Sequence, residues 1–267
     1  MKQDNEKSKP PYNVVSFSGG KDSTAMLLRM IELDMPIDEI LFCDTTVEFP
    51  ALYEHIDKVE KYIGRKITRL RASHGFEYYL LKSEHTRTKN KNIAVMHGRS
   101  FPAPNQRWCT STLKTHVINK HYTLLRKEYQ VIEYVGIAAD EPKRVKEKRY
   151  PLVEWGWTEA DCLRYCYEKG FNWNGLYEIF DRVSCWCCPL QSLTELRKLR
   201  RYFPKLWNKL HYWQMVTWRS FRPDYTVQEL ELRFRLEEEW EAKGLPTGRN
   251  KDFQKALADR LGRAGTE

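Results

Sequence analysis

The chain has 267 residues, of which 41% are hydrophobic and 13% aromatic, so it can bury a core and wholesale disorder is excluded. Lys and Arg number 45 against 36 Asp and Glu, a net charge of +9. This excess favours an anionic partner such as a nucleotide or nucleic acid, although a solvated basic surface would give the same count. The polar N-terminal residues and the lack of a long apolar run predict a cytoplasmic protein without a membrane anchor.

Strands and helices alternate along the first half of the chain. The predicted elements are a strand at 13–17, a glycine turn at 18–24, a helix at 25–33, a strand at 39–46, a helix at 50–64, and strands at 66–72 and 130–139. This alternation predicts an α/β fold with a twisted parallel sheet and helices on both faces.

The rest of the chain is predicted as one long excursion and a set of helices. Residues 83–112 lack periodicity, and we expect either a functional or mobile segment or a disordered surface loop. The capping-box spacing at 158–161 predicts a helix that ends at Gly170. Residues 192–220 and 226–243 have helical composition, with Thr226 as a cap and Gly244 as a stop.

Three regions follow from these elements. They are a flexible N-terminus at 1–12, a nucleotide-binding domain at 13–155, and a helical C-terminal region with a cysteine cluster at 156–267.

The segment Ser18–Thr24, SGGKDST, joins the first strand to the first helix. Its two glycines let the backbone turn sharply and let an anion approach without meeting a Cβ atom. Backbone amides and the positive end of the helix dipole then face the ligand, and Lys21 adds a charge. The segment is therefore predicted to bind phosphate, although it matches neither the Walker loop nor the GxGxxG pattern.

This segment matches SGGxDS and resembles the PP-loop of the ATP pyrophosphatase superfamily. The resemblance implies an enzyme that splits ATP between the α and β phosphates, with Mg²⁺ bound and pyrophosphate as the leaving group.

Asp44 follows the second strand, at the edge where ligands of open α/β sheets bind. Its carboxylate would accept hydrogen bonds from ribose or adenine or help to hold Mg²⁺; a simple turn at the strand end is the alternative. The surrounding DTTVEFP is similar to the DT-x-x-FP stretch of phosphoadenosine phosphosulfate (PAPS) reductases and their relatives.

Residues 136–144, GIAADEPKR, resemble the G-x-R-x-x-E-x-x-R region near the nucleotide in the same family. Ala138 stands where many relatives carry a basic residue, so binding of a 3′-phosphorylated nucleotide is left open. These resemblances imply catalytic roles for Lys21, Asp22 and Asp44. They imply ATP contacts for Ser16, Ser18, Gly19, Gly20, Lys21, Asp22, Ser23, Thr24, Asp44, Gly136 and Arg144.

Four cysteines are candidate metal ligands. The run at 185–189, CWCCP, has three thiols in four positions, and Cys109 lies in RWCTSTLK. Such soft ligands suit an iron–sulfur cluster or zinc. By contrast, Cys43, Cys162 and Cys166 are predicted to pack in the core, as free cysteines commonly do.

The two cysteine segments, in order over 13–190, resemble the iron–sulfur branch of the PAPS reductase-like family. The resemblance implies that Cys109, Cys185 and Cys188 hold a [4Fe–4S] cluster, with zinc as the alternative metal. Cys187 is either the fourth ligand or a neighbour, in which case one iron is open to bind sulfur as in tRNA-thiolating relatives.

The segment 190–222 contains eight basic residues and one acidic residue, interleaved with Trp207, Tyr212, Trp213 and Trp218. Basic side chains neutralise phosphates and aromatic rings stack on unpaired bases, so the segment is predicted to dock DNA or tRNA. Core tryptophans beside a solvated charged face are the alternative.

The C-terminal end of the sequence argues against sulfonate reduction. Thioredoxin-dependent reductases of this family carry a nucleophilic cysteine near the C-terminus, and no cysteine follows Cys188 here. We therefore predict ATP-dependent adenylation coupled to sulfur transfer from a donor such as a cysteine desulfurase, with nucleic acid as the expected acceptor. The alternatives are a nucleotide- and nucleic-acid-binding subunit with a structural metal cluster, and a nucleotidyltransferase of FAD-synthetase type.

Overall fold

The computed structural model describes residues 9–89 and 92–263. They divide into two compact units: residues up to Phe76 with Trp108–Trp186, and Glu77–Arg107 with the residues from Cys187 onward. The predicted boundary at 155/156 therefore lies inside the first unit. Of the predicted flexible segment 1–12, residues 1–8 lie outside the described residues, and Pro11 already begins the first strand.

The strands are β1 (Pro11–Ser16), β2 (Glu39–Asp44), β3 (Thr68–Arg71), β4 (Glu84–Lys89), β5 (Asn92–His97) and β6 (Gln130–Val135). The helices of the first unit and its border are α1 (Lys21–Glu32), α2 (Pro50–Ile63), α3 (Phe76–Leu81), α4 (Trp108–Thr110), α5 (His116–Leu125), α6 (Pro151–Glu154), α7 (Glu159–Glu168) and α8 (Leu176–Ile179). A π-helical turn at Ser111–Thr115 joins α4 to α5. The helices of the second unit are α9 (Leu193–Tyr202), α10 (Pro204–Val216), α11 (Val227–Glu241) and α12 (Lys251–Arg260).

The first unit contains, among the described residues, a four-stranded parallel sheet in the order β3-β2-β1-β6. The chain moves in one direction from β1 to β3 and then returns to the other side of β1 with β6. Because parallel crossovers are right-handed, this reversal places the connecting helices on opposite faces of the sheet. The predicted parallel α/β sheet is confirmed, and the reversal between β1 and β6 creates a crevice at the carboxyl ends of these strands.

The centre of this sheet is fully buried. Val14 and Val15 of β1 are 0% exposed, which is expected for a strand covered on both faces. On one face Val14 and Leu41 pack against Tyr122 of α5. Helix α5 therefore covers the β1–β2 part of the sheet. Its residues Ile118 and Tyr122 also line the cavity described under the candidate active site.

Local signals in the sequence set several helix ends correctly. Helix α2 begins at Pro50, and α7 begins with a reciprocal capping box between Thr158 and Asp161. A second capping box, between Thr226 and Glu229, begins α11. Such caps each contribute about 1 kcal/mol because they satisfy amides that have no partner in the helix.

Part of the segment 83–112 forms a β-hairpin, so the alternative of a disordered surface loop is wrong for these residues. Strands β4 and β5 pair antiparallel from Glu84 opposite His97 to Lys89 opposite Asn92. The chain after the hairpin is held within the second unit, where Trp218 Nε1 donates to the carbonyl of Gly98 over 3.1 Å. The hairpin could not be predicted from the sequence, because its residues are mostly polar and show no apolar alternation.

The helical segment 192–220 is broken into α9 and α10 between Tyr202 and Pro204. Proline has no amide hydrogen to continue the helix of the preceding residues, but it is favourable in the first turn of the next helix. The helical nature of the C-terminal region is confirmed. Across residues 9–89 and 92–263, no helix combines the length and apolar character needed to cross a membrane.

Candidate active site

The glycine turn lies where it was predicted, between β1 and α1. Gly19 has φ +77°, a left-handed conformation that favours glycine, and a Cβ there would lie 3.2 Å from Ile56. Within the turn, the Ser18 amide donates to Ser23 Oγ over 3.1 Å, and Ser23 Oγ donates to the Gly20 carbonyl over 3.1 Å. The first helical residue is Lys21, so the N-terminus of α1 opens directly from the turn.

Lys21 is buried and carries its charge between two carboxylates. Its ammonium is bound by Glu159, the first residue of α7, and lies 3.5 Å from Asp22 Oδ1. Burial opposes this charge, but the hydrogen bond with Glu159 and the neighbouring Asp22 raise the pKa of Lys21 above its usual value. The cation predicted to face phosphate is therefore fully protonated at neutral pH.

The surroundings of Asp22, unlike those of Lys21, disfavour the charged form of the side chain. Burial, together with the nearby Glu159 and Glu141, raises its pKa to about 6, although Lys21 acts in the opposite direction. Its Oδ1 is buried and accepts no hydrogen bond from the described residues. An acidic group held at such a cost to stability is a common property of active sites.

A cavity of about 230 Å³ lies at the carboxyl ends of β1, β2 and β6, at the reversal of strand order. Five predicted site residues line it: Ser16, Ser18, Ser23, Gly136 and Arg144. The side chains Cys43, Glu48 and Lys114 also line it and were not among the predicted site residues. Cys43, expected in the core, is half-buried at this cavity because it lies at the end of β2, which corrects that expectation.

Three of the predicted residues have polar partners within the first unit. Ser16 Oγ donates to Glu133 over 2.8 Å, and Arg144 is paired with Glu141, whose hydrogen bond raises the pKa of the guanidinium. Thr24 is fully buried and bonded to His55 Nε2 over 2.9 Å. The Thr24 hydroxyl therefore connects the start of α1 to buried His55.

Asp44 forms a turn at the end of β2. Its Oδ1 accepts the Thr46 amide over 2.7 Å and the Tyr53 hydroxyl over 2.8 Å, and its Oδ2 lies 4.0 Å from Arg71. Among the described residues it is not part of the cavity lining. A contact between Asp44 and nucleotide or Mg²⁺ stays a prediction.

Four further residues define this site, and sequence analysis missed their roles. They are Glu159, which binds Lys21; Trp173 and Tyr177, which contact the glycine turn; and Lys114. The capping box at 158–161 was the only signal available for Glu159, because it places that residue at a helix N-terminus. Trp173, Tyr177 and Lys114 are brought to the site by tertiary packing.

Two of the predicted metal ligands belong to the first unit. Cys185 Sγ donates to Glu48 Oε1 over 3.4 Å, and Lys114 lies 3.9 Å from the same carboxylate oxygen. Partial burial opposes the Lys114 charge, but Cys185, Glu48, Cys43 and Cys109 together raise the pKa of Lys114. Cys109 and Cys185 thus both act on this one ammonium group.

The other two predicted ligands, Cys187 and Cys188, belong to the second unit; Cys187 is buried and Cys188 half-buried. Within the described residues, no group of three or more His, Cys, Asp or Glu side chains is arranged to hold a metal ion. The cysteine chemistry suits a soft metal, and the four-cysteine ligand set stays a prediction. Cys162 and Cys166 are 0% exposed, so their predicted place in the core is confirmed.

Most of the basic residues in 190–222 are bound by acidic partners within the second unit. Arg197 pairs with Glu237, Lys198 with Glu195, Arg200 with Glu231 and Glu238, Lys209 with Glu77, and Arg222 with Asp224. These charges hold the helices together, which limits the cations available to an external polyanion. Arg201 and Lys205 are exposed, and neither has a carboxylate partner among the described residues.

The aromatic residues of the same segment divide into two classes. Trp207 and Trp213 are buried, and their indole N–H groups donate to Glu231 and Glu77 over 2.8 and 2.9 Å. Tyr212 is 55% exposed and Trp218 is 45% exposed. The core interpretation is therefore correct for the first pair, and of these four rings only Tyr212 and Trp218 are exposed to solvent.

A family model described as the phosphoadenosine phosphosulfate reductase domain matches residues 12–191. An uncharacterized protein of Methanocaldococcus jannaschii is 31% identical, over 92% of this chain and 47% of that protein. The adenosine 5′-phosphosulfate reductase of Bacillus mycoides is 23% identical, over 62% of this chain and 68% of that enzyme.

A crystal structure of phosphoadenylyl-sulfate reductase from Candida auris, a phosphate complex, is similar with a TM-score of 0.48 and 19% identity, covering 67% of this chain and 83% of that one. The chain spans about half the length of the archaeal relatives it matches, 47% and 45% of two of them.

Proposed function

The chain belongs to the phosphoadenosine phosphosulfate reductase domain family, and from that premise we propose that it is an enzyme that adenylates an acceptor with ATP and then transfers sulfur to it. The observation that carries the proposal is the SGGKDS turn beside the cavity at the reversal of strand order, with Lys21 held as a cation. Its cytoplasmic location stays a prediction from the sequence.

In the first step, an oxygen of the acceptor attacks the α-phosphorus of ATP. The new P–O bond forms as the bond to the bridging oxygen breaks, and pyrophosphate leaves with the electron pair. Lys21 stabilises the negative charge that develops on the phosphate oxygens, and turn amides supply further donors. Glu159 orients the Lys21 ammonium, and Asp22, with Asp44 as a second carboxylate, would hold the Mg²⁺ that neutralises the polyphosphate.

In the second step, a sulfur nucleophile at the oxidation level of sulfide attacks the atom that carries the adenylylated oxygen. A bond to sulfur forms, the bond to that oxygen breaks, and AMP leaves, so no reductant is consumed. Cys109, Cys185 and Cys188, with Cys187 as a further candidate, would hold a [4Fe–4S] cluster, and an iron of that cluster would supply a site for sulfur. A sulfur donor such as a cysteine desulfurase would provide the sulfide.

Nucleic acid is the acceptor that the charge distribution favours. Residues 77–107 and 187–267, the second unit, contain 22 Lys and Arg against 13 Asp and Glu, so the whole net charge of +9 belongs to this unit. Exposed Arg201 and Lys205 precede exposed Tyr212 and Trp218 along the chain. Cations for phosphates followed by rings for unpaired bases are the combination that single-stranded DNA or RNA requires.

Pyrophosphate release from ATP tests the proposal. The purified chain is incubated with ATP, Mg²⁺ and single-stranded DNA or tRNA, and released pyrophosphate is measured. We expect release from the natural chain and its loss in Lys21→Ala, because the charge on the transferring phosphoryl group is then unopposed. Lys61→Ala, an exposed lysine at the end of α2, is the matched control and should release pyrophosphate normally. Unchanged release from Lys21→Ala would refute the assignment.

A further inference from the structure

Tyr177, in α8, lies directly on the glycine turn. Its phenolic oxygen accepts the Lys21 amide hydrogen over 2.9 Å, and a Cβ added to Gly20 would lie 3.4 Å from the same oxygen. The Lys21 ammonium lies 5.8 Å from the centre of the phenol ring. One side chain thus contacts both the first amide of α1 and the cation of the turn.

The position of this phenol is determined by the residue that also holds the turn. Its ring packs edge-on against Trp173, with centroids 4.8 Å apart at 81°. The Trp173 indole N–H donates to the Gly19 carbonyl over 2.7 Å, and its ring stacks on buried His55 at 4.2 Å. Trp173 therefore fixes the position of Tyr177 relative to the glycine turn, and a ligand-binding group requires such a fixed position.

The backbone before Tyr177 is strained. Trp173 and Asn174 have φ of +49° and +51°, a region that side chains other than glycine rarely adopt, and Gly175 follows at +82°. Such conformations cost about 1–3 kcal/mol each and persist only where the surrounding structure imposes them. Here the strained segment brings both aromatic side chains onto the glycine turn.

The hydrogen bonds of the phenol leave one donor. A tyrosine hydroxyl both accepts and donates, and Tyr177 uses its oxygen to accept the Lys21 amide. None of the hydrogen bonds among the described residues takes its proton. The Lys21 amide is one of the groups that would meet an anion at the start of α1, and its hydrogen is accepted by the Tyr177 hydroxyl.

We infer that Tyr177 is a phosphate-binding residue, whose hydroxyl donates to a polyphosphate oxygen of ATP while it accepts from the Lys21 amide. The inference rests on the proposed function, because it extends the phosphate contacts of the same turn. The two hydrogen bonds of the phenol would be cooperative. The Lys21 amide polarises the phenolic oxygen, which strengthens the hydroxyl as a donor to phosphate.

The environment keeps this donor neutral. Burial raises the pKa of Tyr177 above its ordinary value, and the negative charges of Asp22 and Glu159 act in the same direction, against the effect of the Lys21 amide. The hydroxyl therefore retains its proton at and above neutral pH. A phenolate at this place would repel phosphate.

Calorimetric titration of the full chain and of Tyr177→Phe tests the inference. Phenylalanine keeps the ring that packs on Trp173 and removes only the hydroxyl. The ligands are ATP with Mg²⁺, adenosine, and inorganic pyrophosphate. We expect Tyr177→Phe to bind ATP and pyrophosphate about 10 to 100 times more weakly, which is the range for a hydrogen bond to a charged group, and adenosine unchanged. Tyr167→Phe, on the exposed surface of α7, is the matched control and should bind all three ligands normally.

Each other outcome overturns the inference in a distinguishable way. Equal affinity of both chains for ATP would show that the hydroxyl makes no contact, and tighter binding by Tyr177→Phe would show that it competes with phosphate for the Lys21 amide. Equal weakening for adenosine would assign Tyr177 a structural role only. If the natural chain binds neither ATP nor pyrophosphate, the proposed function itself fails, and the inference fails with it.

Discussion

Gly136 and Ser23 touch across the reversal of strand order: a Cβ added to Gly136 would lie 2.8 Å from both the Cα and the amide nitrogen of Ser23. The end of β6 thereby meets the first turn of α1, with backbone against backbone. Gly136 was predicted to contact nucleotide, and this close packing gives it a second reason to be glycine.

Replacing Gly136 with alanine should damage both stability and nucleotide binding. Neither contacting atom belongs to a flexible side chain, so α1 or β6 must shift, at a cost of about 1–3 kcal/mol of unfolding free energy. Urea unfolding and ATP titration measure the two effects. Gly64→Ala is the control, because Gly64 has φ +62° with nothing within 4 Å, so it should lose about 1 kcal/mol and leave ATP binding intact. Normal ATP binding by Gly136→Ala would show that this contact does not position the turn.

Asp22 should make stability depend on pH. Its pKa of about 6 in the folded chain exceeds the unfolded value of 3.8, because burial and Glu159 disfavour its charge. Between about pH 4 and 6 the folded chain binds a proton that the unfolded chain has lost, so this group lowers the unfolding free energy as pH rises through that window.

Asp22→Asn removes that charge and should be more stable than the natural chain by roughly 1–3 kcal/mol above pH 6, with the difference shrinking towards pH 4. Urea unfolding of both chains at pH 8 and pH 4.5 provides the measurement. The same variant should lose pyrophosphate release if Asp22 holds Mg²⁺. A stability difference that is equal at both pH values would contradict the burial argument.

Two classes of basic residue in the second unit should respond differently to mutation. Arg201→Ala with Lys205→Ala should weaken binding of a single-stranded oligonucleotide about tenfold near 0.1 M salt, and should reduce the salt dependence by about two ions. Thermal unfolding should be unchanged, because neither side chain has a carboxylate partner among the described residues.

Arg200→Ala should reduce stability and leave oligonucleotide binding nearly unchanged, the opposite of the Arg201→Ala and Lys205→Ala double variant. This residue pairs with Glu231 and Glu238, so its loss should lower the unfolding free energy by about 1–3 kcal/mol with little effect on the oligonucleotide. Fluorescence anisotropy and thermal unfolding separate the two effects. Unaltered oligonucleotide binding by the double variant would exclude these two cations as the nucleic-acid contact.

Elemental analysis of anaerobically purified protein tests the cysteine assignment. We expect about four irons and four acid-labile sulfides per chain, and their loss in serine variants of Cys109, Cys185 or Cys188. Cys187→Ser decides whether Cys187 is a ligand or a neighbour. Cys162→Ser, in the core, should keep the full iron content. One zinc with no sulfide would instead indicate a structural metal site.

The glycine turn can be located from the sequence because its signal is local. A β-branched strand, two glycines and an apolar helix follow one another within 20 residues, and α1 begins at Lys21, four residues before the apolar run that predicts it. The capping box at Thr158 likewise predicted the start of α7. The hairpin at 84–97 was missed because a polar two-stranded ribbon has no periodic apolar face to detect.

The partners of the predicted residues could not be obtained in the same way. Glu159 binds Lys21 across 138 positions of sequence, and Tyr177 binds its amide across 156. The composition of 190–222 likewise could not show that most of its basic side chains pair with acidic residues, several of them in α11.

The sequence by itself determined the parallel α/β class, the phosphate-binding turn and the set of candidate thiols, because backbone propensity and residue chemistry act over a few neighbouring positions. Only the tertiary structure decided that Lys21 is held by Glu159, that Asp44 forms a turn, and that the Tyr177 hydroxyl accepts the amide hydrogen of Lys21. These relationships depend on which distant side chains burial and chain crossover bring into contact, and no local pattern carries that information.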